Sequence, residues 1–492
     1  MDRSAANAMA LARLLSSFRD LVAGSREEER ALSTILRALD GVCDYIEIHP
    51  FEVLTWREDL CVVETWAGRY QCSACPPTES ADIEAKAKIL DFDSIVADRI
   101  RRDDVEGRIA VVRGVEDPDD VVDVVEKLSS LGAMAVIVLD RFGLRRIVVP
   151  GMQLPSLRTA RSRYVPTVFA RGSELKVSEG ESIRLVIDAR ARHAYGKNVI
   201  CEVAGDERRK VVLAAHYDHW LWGGADNSLG VGIAVEALKL LKGCMRSTLK
   251  LALFSAEEGL PPRLTGMYWA VGSRSYVVKY AEELLNSSAL VINIDVVYAE
   301  PLIASVTGFE ALGLVEEIPL DTDFNAFIYD AEPFAELGLP TITINSFNAM
   351  LRDGVYHTEI DTVDRVSMRV VSSALKLVTE IAKRCDSIDS ETLFRKGLAK
   401  AMEGADLRLE ARALLMKVLK HGCIRDPWAR YAINRALFRT LVPPEFLEKP
   451  MRERGYVGWW MSGWLELPTA MVLDDESEIS ALTLLADKYC IW

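Results

Sequence analysis

The sequence lacks any apolar run close to the roughly 20 residues a membrane helix needs, so no stretch of it reads as a transmembrane segment. It is also short of positive charge. Its 59 Lys and Arg against 73 Asp and Glu leave a formal net charge of −14, which argues against nucleic acid or an anionic membrane as the main partner. A second cysteine pair is missing too. Cys72-Ser73-Ala74-Cys75 has metal-like spacing, but nothing follows to complete four ligands, so a reduced loop or a local disulfide fits better than a structural zinc. The nine cysteines are odd in number and scattered from Cys43 to Cys490. They say little. The N-terminus, MDRSAANAMALARLLSSFRDLVAG, is broken by Arg13, Arg19 and Asp20 and makes a poor signal peptide. It reads as an outer helix of a cytoplasmic protein.

What is present is an ordinary globular composition on a long chain. Half of the 492 residues are hydrophobic and 27% are charged, and the length asks for two or three domains. Residues 1–24 and 26–40 read as helices, followed by a strand pair around YIEIHPFEVLTW and LCVVETW, with His49 as a surface residue before Pro50. From 58 to 196 the texture changes: GRIAVVRG, GAMAVIVLD, YVPTVFARGSEL and SIRLVIDARA are short strands, with a polar-capped helix from Asp117 to Leu131. No catalytic cluster stands out there, so this stretch reads as a binding or covering module. From 197 to 385 strands and helices alternate, the pattern of a mixed, mostly parallel sheet with helices on both faces. Residues 386–492 are mainly helical and carry Trp459, Trp460 and Trp464, which read as helix packing or as a lid or dimer surface.

The chain is organised around VVLAAHYDHWLWGGADNSLG (211–230). Its β-branched run reads as a buried strand ending in His216 and Asp218; a Gly-Gly turn then leads to Asp226 and to a helix with apolar positions Val231, Ala234, Leu238 and Leu241. Other strands end in the same manner. LKLALFSAEEG delivers Glu257 and Glu258, ALVINIDVV delivers Asp295, and the loop GVYHTEIDTVDRV delivers His357. Parallel strands end on one edge, so these groups converge although they are far apart in sequence. Two histidines and three carboxylates can hold two metal ions when one carboxylate bridges them. Imidazole with carboxylate suits zinc and also admits manganese or cobalt. Asp218, two residues after His216, is placed to hold the other ring nitrogen. Of the adjacent Glu257 and Glu258, one can bind metal while the other stays free as a base.

These motifs, AAHYDHW with GGADNSLG, FSAEEG, NIDVV, and YHTEIDT preceded by DAEPFAELGLP, resemble the M28 family of metallopeptidases. Asp226 follows His216 by ten residues, a gap similar to that family's. The resemblance implies a zinc-dependent exopeptidase fold. It implies one zinc on His216, Asp226 and Asp295, a second on Asp226, Glu258 and His357, Glu257 as general base toward a metal-bridging water, and Asp218 as the group that orients His216. Residues 58–196 resemble an inserted protease-associated domain, and 386–492 are similar in placement to the helical C-terminal domain of the glutamate carboxypeptidase branch. The domain expectation is therefore 1–57 and 197–385 for the peptidase, 58–196 for the insert and 386–492 for the helical end.

The chain departs from the family pattern in places. LPPRLTGMYWAV (260–271) looks like an insertion before Gly272-Ser273, and its Met267, Tyr268 and Trp269 are candidates for a specificity pocket. Tyr329-Asp330-Ala331 stands where a Ser-Asp-His is common, and His219 reads as a residue at the rim or behind the ligands rather than a third metal ligand. The expected substrate is a peptide, with an aminopeptidase favoured over a carboxypeptidase or a receptor-like relative. A carboxypeptidase would need arginines fixed on the substrate carboxylate, for which Arg263, Arg274 and Arg352 are candidates.

Overall fold

The computed structural model describes residues 2–149, 164–262, 269–316, 318–323 and 329–403, with a few positions between 427 and 434. Met267, Tyr268, Arg263 and the tryptophans at 459, 460 and 464 lie outside the described residues.

The strands are β1 (Tyr45–Thr65), β2 (Gly68–Ala74), β3 (Ala81–Asp91), β4 (Ile109–Arg113), β5 (Ala135–Asp140), β6 (Thr167–Arg171), β7 (Ser182–Val203), β8 (Glu207–His216), β9 (Ser247–Phe254), β10 (Ser288–Ile294), β11 (Ile303–Thr307), β12 (Asp321–Asp323) and β13 (Thr341–Asn345). The main sheet runs β1-β7-β9-β8-β10-β13-β11-β12. Its centre, β9-β8-β10-β13, is parallel. The odd residues Val211, Leu213 and Ala215 of β8 face a core shared with helices Asp2–Ser16, Arg26–Leu39, Leu229–Leu241 and Met368–Ser387. The even residues Val212 and Ala214 face helix Val271–Ser287 through Tyr276, Val277 and Leu284. A strand apolar on both faces is what a sheet covered by helices on both sides requires.

Two expectations are corrected here. The strand pair near the N-terminus is one unbroken strand, β1, which pairs with β7 from Tyr45–Glu202 to Glu64–Arg184. Pro50 survives in it because β1 has no other partner until Val62, and a free edge needs no N–H. The two stretches 182–191 and 198–205 likewise form a single strand, β7. Strands β1 and β7 therefore run straight through residues 57–58 and 196–197. Their far ends close a seven-stranded ring, β1-β2-β6-β5-β4-β3-β7. Ile109 and Val111 of β4 point into that ring; Ala110 and Val112 point out to helix Val121–Ser130.

His49 is buried rather than exposed. Its Nδ1 lies 3.2 Å from the Asn198 amide, and Tyr276 and Tyr280 meet its ring edge-on. Helix Val271–Ser287 covers that face of β1, which the local sequence does not announce. Cys72 is not paired with Cys75: disulfides join Cys61 to Cys72 and Cys43 to Cys201, and Cys75 is a buried thiol. Of the C-terminal segment, helix Ser390–Glu403 sits on helix Phe309–Val315, with Phe394 edge-on to Phe309 at 5.1 Å.

Candidate metal centre

The parallel strands β8, β9 and β10 end on one edge, and the turns beyond them bring their polar residues together. His216 closes β8 and is 1% exposed. Its Nε2 lies 3.3 Å from Asp295 Oδ1 and 3.4 Å from Asp226 Oδ1. The second oxygen of Asp226 lies 3.4 Å from His357 Nε2, which in turn lies 2.9 Å from Glu258 Oε2. One carboxylate thus stands between two imidazoles. His216, Asp226 and Asp295 can each offer a ligand atom within 4.8 Å of the others, as can Asp226, Glu258 and His357, and also His216, Glu257 and Glu258. The buried Glu258 Oε1 and Asp295 Oδ2 have no hydrogen-bond partner among the described residues. Buried acceptors left without donors are costly, and a cation would satisfy them. The donor set, imidazole and carboxylate oxygen, fits zinc, manganese or cobalt.

The charges lead to the same conclusion. Burial alone would discharge His216, yet Asp295, Asp218 and Asp226 outweigh it and hold its pKa well above the ordinary range. His357 is pushed to about 10 by Glu258 and Asp226, again against burial. Burial pushes Glu258 up to about 7, with Asp226 adding to the effect and His357 opposing it. Burial also lifts Glu257 well above the usual carboxylate range, opposed by His216 and reinforced by Asp330, Asp295 and Glu258. Asp330, fully buried nearby, reaches about 7, chiefly through its burial. Only Asp226 is lowered: its two histidine partners outweigh its burial. So many carboxylates in one dry space retain protons that metal ions would displace.

Asp218 does hold His216, mainly through its backbone, and its carboxylate has a second task. The ring Nδ1 of His216 donates to the backbone carbonyl of Asp218 at 3.0 Å, while the carboxylate stands 3.7 Å away. That carboxylate accepts the backbone N–H groups of Glu257 and Glu258, at 3.1 and 3.2 Å. It orients the glutamate pair. Three positions at the site take the left-handed backbone, at φ 58 for Ala256, 47 for Val296 and 55 for His357. Non-glycine residues hold such angles only where their surroundings over-determine them.

Two supporting acids were missed by reading the sequence. Asp361 accepts the N–H groups of Ala225 and Asp226 at 2.8 and 3.1 Å, fixing the bridging carboxylate's backbone. It was in view as the last acid of YHTEIDT. Glu28, fully buried, accepts from Ser255 Oγ at 2.6 Å, Tyr217 Oη at 3.2 Å and the Lys197 N–H at 3.0 Å. It ties the N-terminal helices to the residues flanking the site.

Other expected residues are placed elsewhere. His219 is buried against the N-terminal segment, its backbone N–H on Leu21 and its ring near the Leu15 carbonyl, so it is neither rim nor ligand. Trp269 is 8% exposed. Arg274 pairs with the buried Glu332 at 3.1 Å, and Arg352 is exposed beside Asp353.

Residues 198–382, which contain every one of these ligand positions, match the model of Peptidase family M28. No curated protein matches the chain by sequence. Among solved structures, a peptidase M28 precursor from Shewanella amazonensis aligns at a TM-score of 0.63 and 17% identity, covering 79% of this chain and 96% of its own. A zinc aminopeptidase from Bacillus subtilis aligns at 0.59 and 20%, covering 77% and 93%. An aminopeptidase from Aneurinibacillus sp. strain AM-1 aligns at 0.54 and 18%, covering 78% and 96%. At these identities the likeness concerns the fold, and the fold agrees with the matched segment. The family M28 match thus spans 198–382, the segment that carries the whole centre.

Proposed function

We propose that this protein is a metal-dependent exopeptidase, an aminopeptidase, with one zinc ion on His216, Asp226 and Asp295 and another on Asp226, Glu258 and His357. The observation that carries the reading is the shared Asp226 carboxylate, with one oxygen turned to each imidazole. Bound ions would polarise the scissile carbonyl and offset the charge that develops on its oxygen. The remaining work falls to the chain. Glu257 offers a carboxylate oxygen within 4.8 Å of the ligand atoms of His216 and Glu258. There it takes a proton from the attacking water and passes it to the departing amine. Asp218 holds the backbone of Glu257 and so sets the direction of that carboxylate. The near-complete burial of Glu257 and its neighbours keeps bulk water from competing for the proton.

An aminopeptidase is favoured on two grounds. Two of the structures most similar in fold are named aminopeptidases. Of the candidate arginines among the described residues, Arg274 is held by the buried Glu332 and is not free for a substrate C-terminus. The closed strand ring supports reading 58–196 as a protease-associated module. A panel of dipeptides and tripeptides with free or blocked ends, assayed with zinc or chelator, tests the reading. Cleavage that needs both zinc and a free N-terminus is expected. Cleavage of N-blocked peptides with a free carboxylate would replace it with a carboxypeptidase.

A further inference from the structure

We propose that Arg145, on the segment leaving β5, is a positioning residue for His357, which makes the strand ring a working part of the Asp226–Glu258–His357 half-site. The inference rests on the metal-centre reading above. His357 lies between helix Phe347–Arg352 and the turn Val363–Arg365, in a loop with no regular structure of its own. Its backbone is at φ 55, so something outside the loop must hold it.

The ring supplies those contacts. Arg145 is 3% exposed and balanced by Asp140 at 2.6 Å. Its guanidinium donates to the carbonyl of Tyr356 and, at 3.3 Å, to that of Gly354. The next residue, Arg146, donates its N–H to the His357 carbonyl at 3.0 Å, and Glu359 donates its own to the Leu144 carbonyl at 2.9 Å. Arg145 and Thr358 thereby form a short antiparallel bridge. Farther along, the Glu359 carboxylate takes two 2.6 Å bonds from Arg171 at the end of β6 and one of 2.9 Å from the Leu144 N–H. Gly354 fits because a Cβ there would stand 2.3 Å from the Phe142 ring. The loop is clasped on both sides of the ligand. His216 and Asp295, by contrast, end or follow strands of the main sheet and take their geometry from β8 and β10. Loss of the clasp should therefore be felt in one half-site.

The test uses the full chain as wild type, Arg145→Gln and Glu359→Gln, each stripped of metal and titrated with zinc by calorimetry. Supporting contacts of this kind are worth roughly 10–100-fold in metal affinity. One of two binding events should weaken by about that factor while the other stays put. Hydrogen–deuterium exchange should quicken in 354–361 and not in 289–297. A merely structural role would weaken both events together or change exchange in both segments, and that outcome overturns the proposal. Glu359→Gln removes a contact at a half-buried side chain, so it carries the test if Arg145→Gln does not fold. Two unchanged events in both variants also overturn it. A wild-type chain that binds no zinc would overturn the metal-centre reading and this one with it.

Discussion

Asp226 faces His216 with one carboxylate oxygen and His357 with the other, both at 3.4 Å. A group shared in this way belongs to both ligand sets, whereas Asp295 belongs to one. Asp226→Ala should therefore abolish binding of both ions, while Asp295→Ala should leave the half-site of Glu258 and His357 loaded. Metal per chain after dialysis, read by atomic emission, checks it. Two ions retained in Asp226→Ala would remove the bridging assignment.

Glu257 is the acid of the pair that neither histidine touches: the 2.9 Å contact to His357 is made by Glu258. Glu257→Gln keeps the shape and removes the basic oxygen. Turnover should drop by roughly 10²–10⁴-fold, the usual worth of a positioned base, with metal content unchanged. A variant that keeps near-normal kcat would mean the proton goes elsewhere.

Much of this was legible because parallel strands impose it. The order His216, Asp226, Glu257-Glu258, Asp295, His357 could be read from apolar runs ending in polar residues, and the ends of β8, β9 and β10 do meet. What could not be read lies in long-range pairing. β1 reads as two strands on either side of the charged Arg57-Glu58-Asp59, yet ladder bonds to β7 carry it through. Asp361 and Glu28 look like solvated acids locally, and only the folded chain places backbone donors around them. Arg145 gives no local signal at all, since its carbonyl partners lie about 210 residues away.

Asp361 touches no substrate-facing atom in this arrangement; it holds the Ala225 and Asp226 amides with its two oxygens, one each. Asp361→Asn keeps the size and turns one acceptor into a donor facing an N–H. The Asp226 turn should shift, and zinc affinity should fall roughly 10–100-fold. Calorimetric titration would show it as weaker binding at both half-sites, because Asp226 serves both. Weakening of a single event would mean that Asp361 supports only one ligand set.

The metal-free centre should be sensitive to pH in a defined direction. Burial first, and neighbouring Asp226, raise Glu258 and Asp361 from 4.5 and 3.8 to about 7. His357 rises from 6.5 to about 10, since Glu258 and Asp226 outweigh its burial. Each group binds its proton more tightly folded than unfolded. The stability this gives is fully present below the unfolded values and is lost as pH rises toward the folded ones. For the carboxylates that window runs from about 4 to 7, and for His357 from about 6.5 to 10. The contribution of this cluster to metal-free stability therefore declines as pH rises from about 4 to about 10. Metal ions require Glu258 and His357 deprotonated and compete with those protons, so ligand stabilisation grows as the protons leave. Thermal scans with zinc and with chelator should show a larger zinc-induced rise in Tm at the higher pH. An equal or larger rise at the lower pH would mean that the groups binding zinc are not the ones holding these protons.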